Sequence, residues 1–121
     1  MLKHYLVESL LPYKKIFNGD WTATFGKSKL IWNVKNWPKL YKHPLLEMHI
    51  GVAPEEQAQG KAAEMIYSLI KKENAHVYFS HTRILNPQVY SVINKLKKKS
   101  DLEVIPLIVQ NEEVGLVIRP R

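Results

Sequence analysis

The chain has no cysteine. Disulfides, thiolate nucleophiles and cysteine-ligated metals are thereby excluded. No apolar run approaches the roughly 20 residues needed to span a bilayer, so no membrane partner is expected. The opening MLKHYLVESLLPYKK carries a glutamate and lacks a small-residue cleavage site. It does not read as a signal peptide, and the cytoplasm is the expected compartment. Internal repeats, low-complexity tracts and linkers are also missing. Acidic residues are scarce: 11 Asp and Glu stand against 18 Lys and Arg, for a net charge of +7. Such a balance favours anionic partners: nucleic acid, a membrane surface or a polyphosphate cofactor. It also suits a merely solvated surface, because Lys71-Lys72 and Lys97-Lys98-Lys99 each close a predicted helix, where cations complement the dipole. No aromatic interleaving accompanies Lys95, Lys97, Lys98 and Lys99, so no motif supports nucleic acid.

A length of 121 residues predicts one domain, residues 1–121. Leu2 to Leu11 suits a short helix, which Pro12 stops. Trp21–Phe25 and Lys29–Val34 are rich in aromatic and β-branched residues and read as a hairpin around Gly26-Lys27-Ser28. Asn36 to Pro44 carries two prolines and reads as irregular. Leu45–Val52 reads as a central strand. Gln59–Glu73 follows as a helix, with Ala62, Ile66, Leu69 and Ile70 at helical spacing. Ala75–Phe79 is a second buried strand. Asn86-Pro87 starts another helix, a capping residue followed by a first-turn proline. Val89, Val92, Ile93 and Leu96 form its apolar stripe. Leu102–Val109 and Val114–Ile118 close the chain as a hairpin whose edge strands could pair between subunits into a homodimer. The strand-helix-strand unit in the middle implies a parallel pair. The expected fold is α/β: a mixed, mostly antiparallel sheet with a central parallel strand pair and helices on both faces.

The chemistry-bearing stretch is Glu47 to Lys72, EMHIGVAPEEQAQGKAAEMIYSLIKK. A strand ends in Val52-Ala53-Pro54. A small-residue turn, Gln57-Ala58-Gln59-Gly60-Lys61-Ala62, then opens a helix. Backbone N–H groups gathered at a helix N-terminus favour a phosphate-bearing ligand. Gly60 permits close backbone approach, and Gln57 and Lys61 add side-chain donors. The pattern Val-x-Pro-x-x-Gln-x-x-Gly-x-Ala resembles the acyl-CoA pyrophosphate loop of the GNAT superfamily of N-acyltransferases, in a reduced or divergent form.

The resemblance implies transfer of an acyl group from acetyl-CoA, or another acyl-CoA, to an amine acceptor, either a small molecule or a protein. Residues 57–62 (Gln57, Ala58, Gln59, Gly60, Lys61 and Ala62) would hold the diphosphate. Ile50, Gly51 and Val52 would pair with the pantetheine arm, the Val52 N–H would face the oxyanion, and Asn86 would lie near the cofactor. Glu47 and His49 alternate along the strand and share one face. Either could deprotonate the amine, or both are ordinary polar side chains. The family's tyrosine acid falls on Ile93 and no Gly-Phe follows, which leaves Tyr90, one turn earlier, as the substitute or as a rim aromatic. This departure keeps two alternatives open: a GNAT-like binding or assembly protein without turnover, and a small basic nucleic-acid-binding domain.

Other groups carry less. The histidines at 4, 43, 49, 76 and 81 show no helical metal-ligand spacing and no acidic cluster, so no metal is expected. His81 and Arg83 either line a site mouth or are loop residues. Ser80, Ser91 and Ser100 lack a nucleophile-elbow context. Trp21, Trp32 and Trp37 are core residues or a substrate wall.

Overall fold

The computed structural model describes residues 13–15, 21–25, 28–51 and 60–121. Strands β1 (Tyr13–Lys15), β2 (Trp21–Phe25), β3 (Ser28–Lys35) and β4 (Leu45–Gly51) come first. Helix α1 (Lys61–Glu73), strand β5 (Val77–Ser80), the one-turn α2 (His81–Ile84) and α3 (Pro87–Lys97) follow. Strands β6 (Leu102–Val109) and β7 (Glu112–Pro120) close the chain. The sheet order is β1-β2-β3-β4-β5-β7-β6. All neighbours are antiparallel except β4 and β5, so the expected mixed sheet with a central parallel pair is present.

Alternation along the strands sorts side chains into two layers. Leu30, Trp32, Leu46, Met48, Val77, Phe79 and Ile118 face one way. Against them pack Ala62, Ala63, Ile66, Leu69 and Ile70 of α1 and Val89, Val92, Ile93 and Leu96 of α3. Both predicted apolar stripes are therefore buried, each large side chain contributing about 1.5–3 kcal/mol. The two longer described helices share this face. The chain moves from β4 to β5, then past β7 to β6. Crossovers of one hand that advance in one direction place their helices on the same side. The helix expected over Leu2–Leu11 lies outside the described residues. On the opposite face Leu45, Tyr78, Leu107 and Val117 form a smaller core, covered by Trp37 and Tyr41 from the connection before β4.

The β6–β7 turn places Gln110 and Asn111 at φ 51° and 67°. Two successive left-handed residues give the turn twist that suits a tight hairpin. A register shift at Leu107/Ile108 lies two pairs before the turn.

Candidate functional site

The parallel ladder between β4 and β5 is short. It comprises Leu46↔Val77 and Glu47↔Tyr78, fed by a Leu46 N–H to His76 carbonyl bond of 2.9 Å. Beyond it β4 runs on beside β3 to Gly51, and β5 runs on beside β7 to Ser80. No rung joins the two strands past Glu47 and Tyr78 among the described residues.

Beside this end lies a cleft of about 280 Å³ lined by Ile50, Thr82, Asn86 and Val89. Ile50 ends the apolar row of β4. Thr82 lies in α2, and its hydroxyl is 3.0 Å from that of Ser80. Asn86 is held at the mouth by its own capping role: its Oδ1 accepts from the Gln88 N–H at 2.8 Å, and Pro87 needs no such partner. Val89 follows one turn into α3. Two walls are apolar and two polar. An extended arm that alternates methylenes with amides suits such a lining.

Helix α1 starts at Gly60, whose φ of 72° and ψ of 11° are left-handed, and no side chain among the described residues caps it. A left-handed residue at this point is cheap only for glycine. Lys61 is exposed, whereas Ala62 and Ala63 turn into the core. Lys95 of α3 brings its ammonium to 3.5 Å from where a Cβ on Gly60 would stand. Two cations, Lys61 and Lys95, thus flank the positive end of the α1 dipole. Val52, Gln57, Ala58 and Gln59 lie outside the described residues.

Glu47 and His49 do share a face, the one away from the helices; Leu46, Met48 and Ile50 take the other. Glu47 stands opposite Asn33 on β3 and beside Tyr78 on β5. Lys35 approaches Glu47 at 3.9 Å and lies 6.0 Å over the Trp37 ring. Trp37 meets Tyr78 edge-on with centroids 5.8 Å apart. Burial, and then the Glu47 charge, push the Tyr78 phenol above its ordinary value, so it is neutral near neutral pH. Tyr90 stands on α3, 56% exposed, and is not among the residues lining the cleft. Ile93, at the family's tyrosine position, is buried in the core.

Sequence reasoning missed Thr82, Lys95, Asn33 and Tyr78. The first two belong to a short helix and a lysine-rich tail with no distinctive spacing. The last two become neighbours of Glu47 only through strand register. Among the described residues no three His, Asp or Glu side chains gather as a metal site. No described helix is long and apolar enough to cross a membrane.

A polar chain fastens the connection before β4 to the sheet. Arg119 donates from Nε to Glu103 at 2.9 Å and from Nη1 to the Tyr41 hydroxyl at 3.0 Å. The Tyr41 hydroxyl is 2.8 Å from His76 Nδ1. The Tyr41 oxygen accepts from Arg119 and still pairs with His76, so one hydroxyl ties the arginine to the imidazole. His43 stacks on His76 at 3.7 Å and donates from Nδ1 to the Pro44 carbonyl at 2.8 Å. Burial, the adjacent His43 and Arg119 lower His76 to about 4. As pH falls below the roughly 6.5 of an unfolded-chain histidine, the unfolded state takes up the proton first. Stability is complete above that value and is lost on the way down to about 4. For this half-exposed ring, screening reduces the loss to on the order of 1–2 kcal/mol. The thermal midpoint of the wild type should fall by several degrees between pH 7 and 4.5, and His76→Gln should flatten that slope. An equal slope in both proteins would remove His76 as its source.

Comparison of the chain with protein-family models, with curated proteins and with solved structures returns no match.

Proposed function

We propose that the protein is an acyl-CoA-dependent N-acyltransferase that uses acetyl-CoA and transfers the acyl group to an amine in a ternary complex. The observation that carries this reading is the early end of the β4–β5 ladder, with a cleft between Ile50 and the start of α3. Strands that stop pairing leave main-chain groups able to receive an extended arm as a further strand would. The glycine-started, cation-flanked α1 supports the reading as a place for a diphosphate. In it, Ile50 and Val89 contact the methylenes of the arm, and Thr82 and Asn86 its amides. Glu47, at the last rung, takes the amine proton directly or through water. Val52 is the expected oxyanion donor.

A second reading is a cofactor-binding protein without turnover. It is favoured by Tyr90 standing outside the cleft and by the apolar Ile93 in the core. Titration calorimetry with acetyl-CoA, followed by thiol release across a panel of amines, tests both. Binding with amine-dependent release is expected. Binding without release selects the second reading, and no heat at millimolar acetyl-CoA overturns both.

A further inference from the structure

The face of the sheet away from the helices has an unusual polar row at its centre. Asn33 and Glu47 are direct cross-strand partners on β3 and β4. Both offer oxygen acceptors. The Asn33 Oδ1 is buried and has no hydrogen-bond partner among the described residues. An unpaired buried acceptor of this kind costs about 1–3 kcal/mol, and two adjacent acceptors ask for a donor between them. The Lys35 ammonium lies 3.9 Å from the Glu47 carboxylate. That separation exceeds a direct hydrogen bond, and a small rotation of the flexible lysine side chain closes it. The Trp37 face, 6.0 Å away, bounds the ammonium on another side. Lys35 thus occupies the position of a primary amine with its base: a flexible amine beside a carboxylate, at the level where β4 and β5 part.

We propose that Lys35 is an acyl-acceptor site of the chain itself, acylated from a thioester with Glu47 as the base. The inference rests on the acyl-transfer reading for its donor. Lys35 closes on Glu47 and passes one ammonium proton to its carboxylate. The neutral Nζ attacks the thioester carbonyl, forming the C–N bond. The C–S bond then breaks, the second nitrogen proton goes to solvent, and the departing thiolate takes the proton held by Glu47, which restores the carboxylate. The products are an Nζ-acyl lysine and a free thiol, with no oxidant or reductant. Acylation removes the positive charge of Lys35 and leaves an amide in its place, so Glu47 loses its cationic neighbour.

Lys29 supplies an internal control. It lies on the same strand and the same face, but its cross-strand partner is Gly51, which offers no carboxylate. The folded full chain is incubated with acetyl-CoA and, separately, with the short thioester S-acetyl-N-acetylcysteamine, which has no diphosphate to dock. Peptide mass spectrometry then gives the acetylation rate at each lysine. Lys35 should react about 10-fold or more faster than Lys29, and Glu47→Gln should cut the Lys35 rate by about 10-fold or more. Lys35→Arg keeps the cation, should abolish that fast phase and should leave the thermal midpoint unchanged. Preference for Lys35 with either donor supports the proposal. If only the short thioester shows it, the proposal stands and the diphosphate cradle fails. Lys35 reacting no faster than Lys29 with both donors overturns the proposal, as does an undiminished rate in a folded Glu47→Gln protein.

Discussion

Gly115→Ala is expected to destabilise the protein by about 2–4 kcal/mol, a large share of the stability of a small domain. Gly115 sits on β7 opposite Ser80, beneath the Tyr78 ring. A Cβ there would come within 2.4 Å of the Phe79 carbonyl oxygen and 2.6 Å of Tyr78 Cε1. Its φ is not positive, so the demand is for space and not for an unusual backbone angle. The first clash is with backbone that belongs to the β5–β7 ladder and cannot swing aside. The second is with a ring held by Trp37 on one side and by a 3.5 Å contact from its hydroxyl to the Val114 carbonyl on the other. Urea unfolding of the variant should show a lower midpoint with little change in slope. A midpoint within about 0.5 kcal/mol of wild type would mean that β7 can shift away from Tyr78, against the packing described.

Thr82→Trp is expected to weaken acetyl-CoA binding by about 30-fold or more, equivalent to about 2 kcal/mol. Thr82 is an exposed side chain on the rim of the 280 Å³ cleft. An indole there would fill the space between Ile50 and Asn86 with little disturbance of the core. The Ser80–Thr82 hydroxyl contact is exposed, so its loss costs well under 1 kcal/mol. Thermal midpoints of the two proteins should agree closely, and Thr82→Ser should bind as wild type does. Undiminished affinity in a folded Thr82→Trp protein would place the cofactor elsewhere and remove the cleft from the proposal.

The parts of the fold legible from sequence are those with local causes. Asn86-Pro87 announces the start of α3 because cap and proline act within one turn. The stripes of α1 and α3 follow from spacing alone, and so does the shared face of Glu47 and His49. The hairpin from Trp21 into β3 follows from β-branched and aromatic runs on either side of a glycine. What was not legible depends on distant pairing. The single turn of α2 is too short to show a period, and β1 has three residues. The side on which each helix packs is set by strand order, which no window of sequence contains. Tyr41, His76 and Arg119 meet across 35 and 78 residues of chain, with no spacing to connect them. Asn33 and Glu47 become partners only through register. The candidate site divides in the same way. Gly60 and Asn86 stand out in the sequence, whereas Thr82, Lys95, Lys35 and Tyr78 acquire meaning only from what the strands bring beside them.

Pro106 carries a consequence for how two copies could meet. It lies within β6, the outermost of the described strands on its side of the sheet. Proline has no N–H to give, and the offset at Leu107/Ile108 bends the margin immediately after it. A strand from a neighbouring molecule would find its ladder broken halfway along. Lateral growth of the sheet is blocked there by one imino acid, and any dimer through this edge must form on the few residues to either side of it.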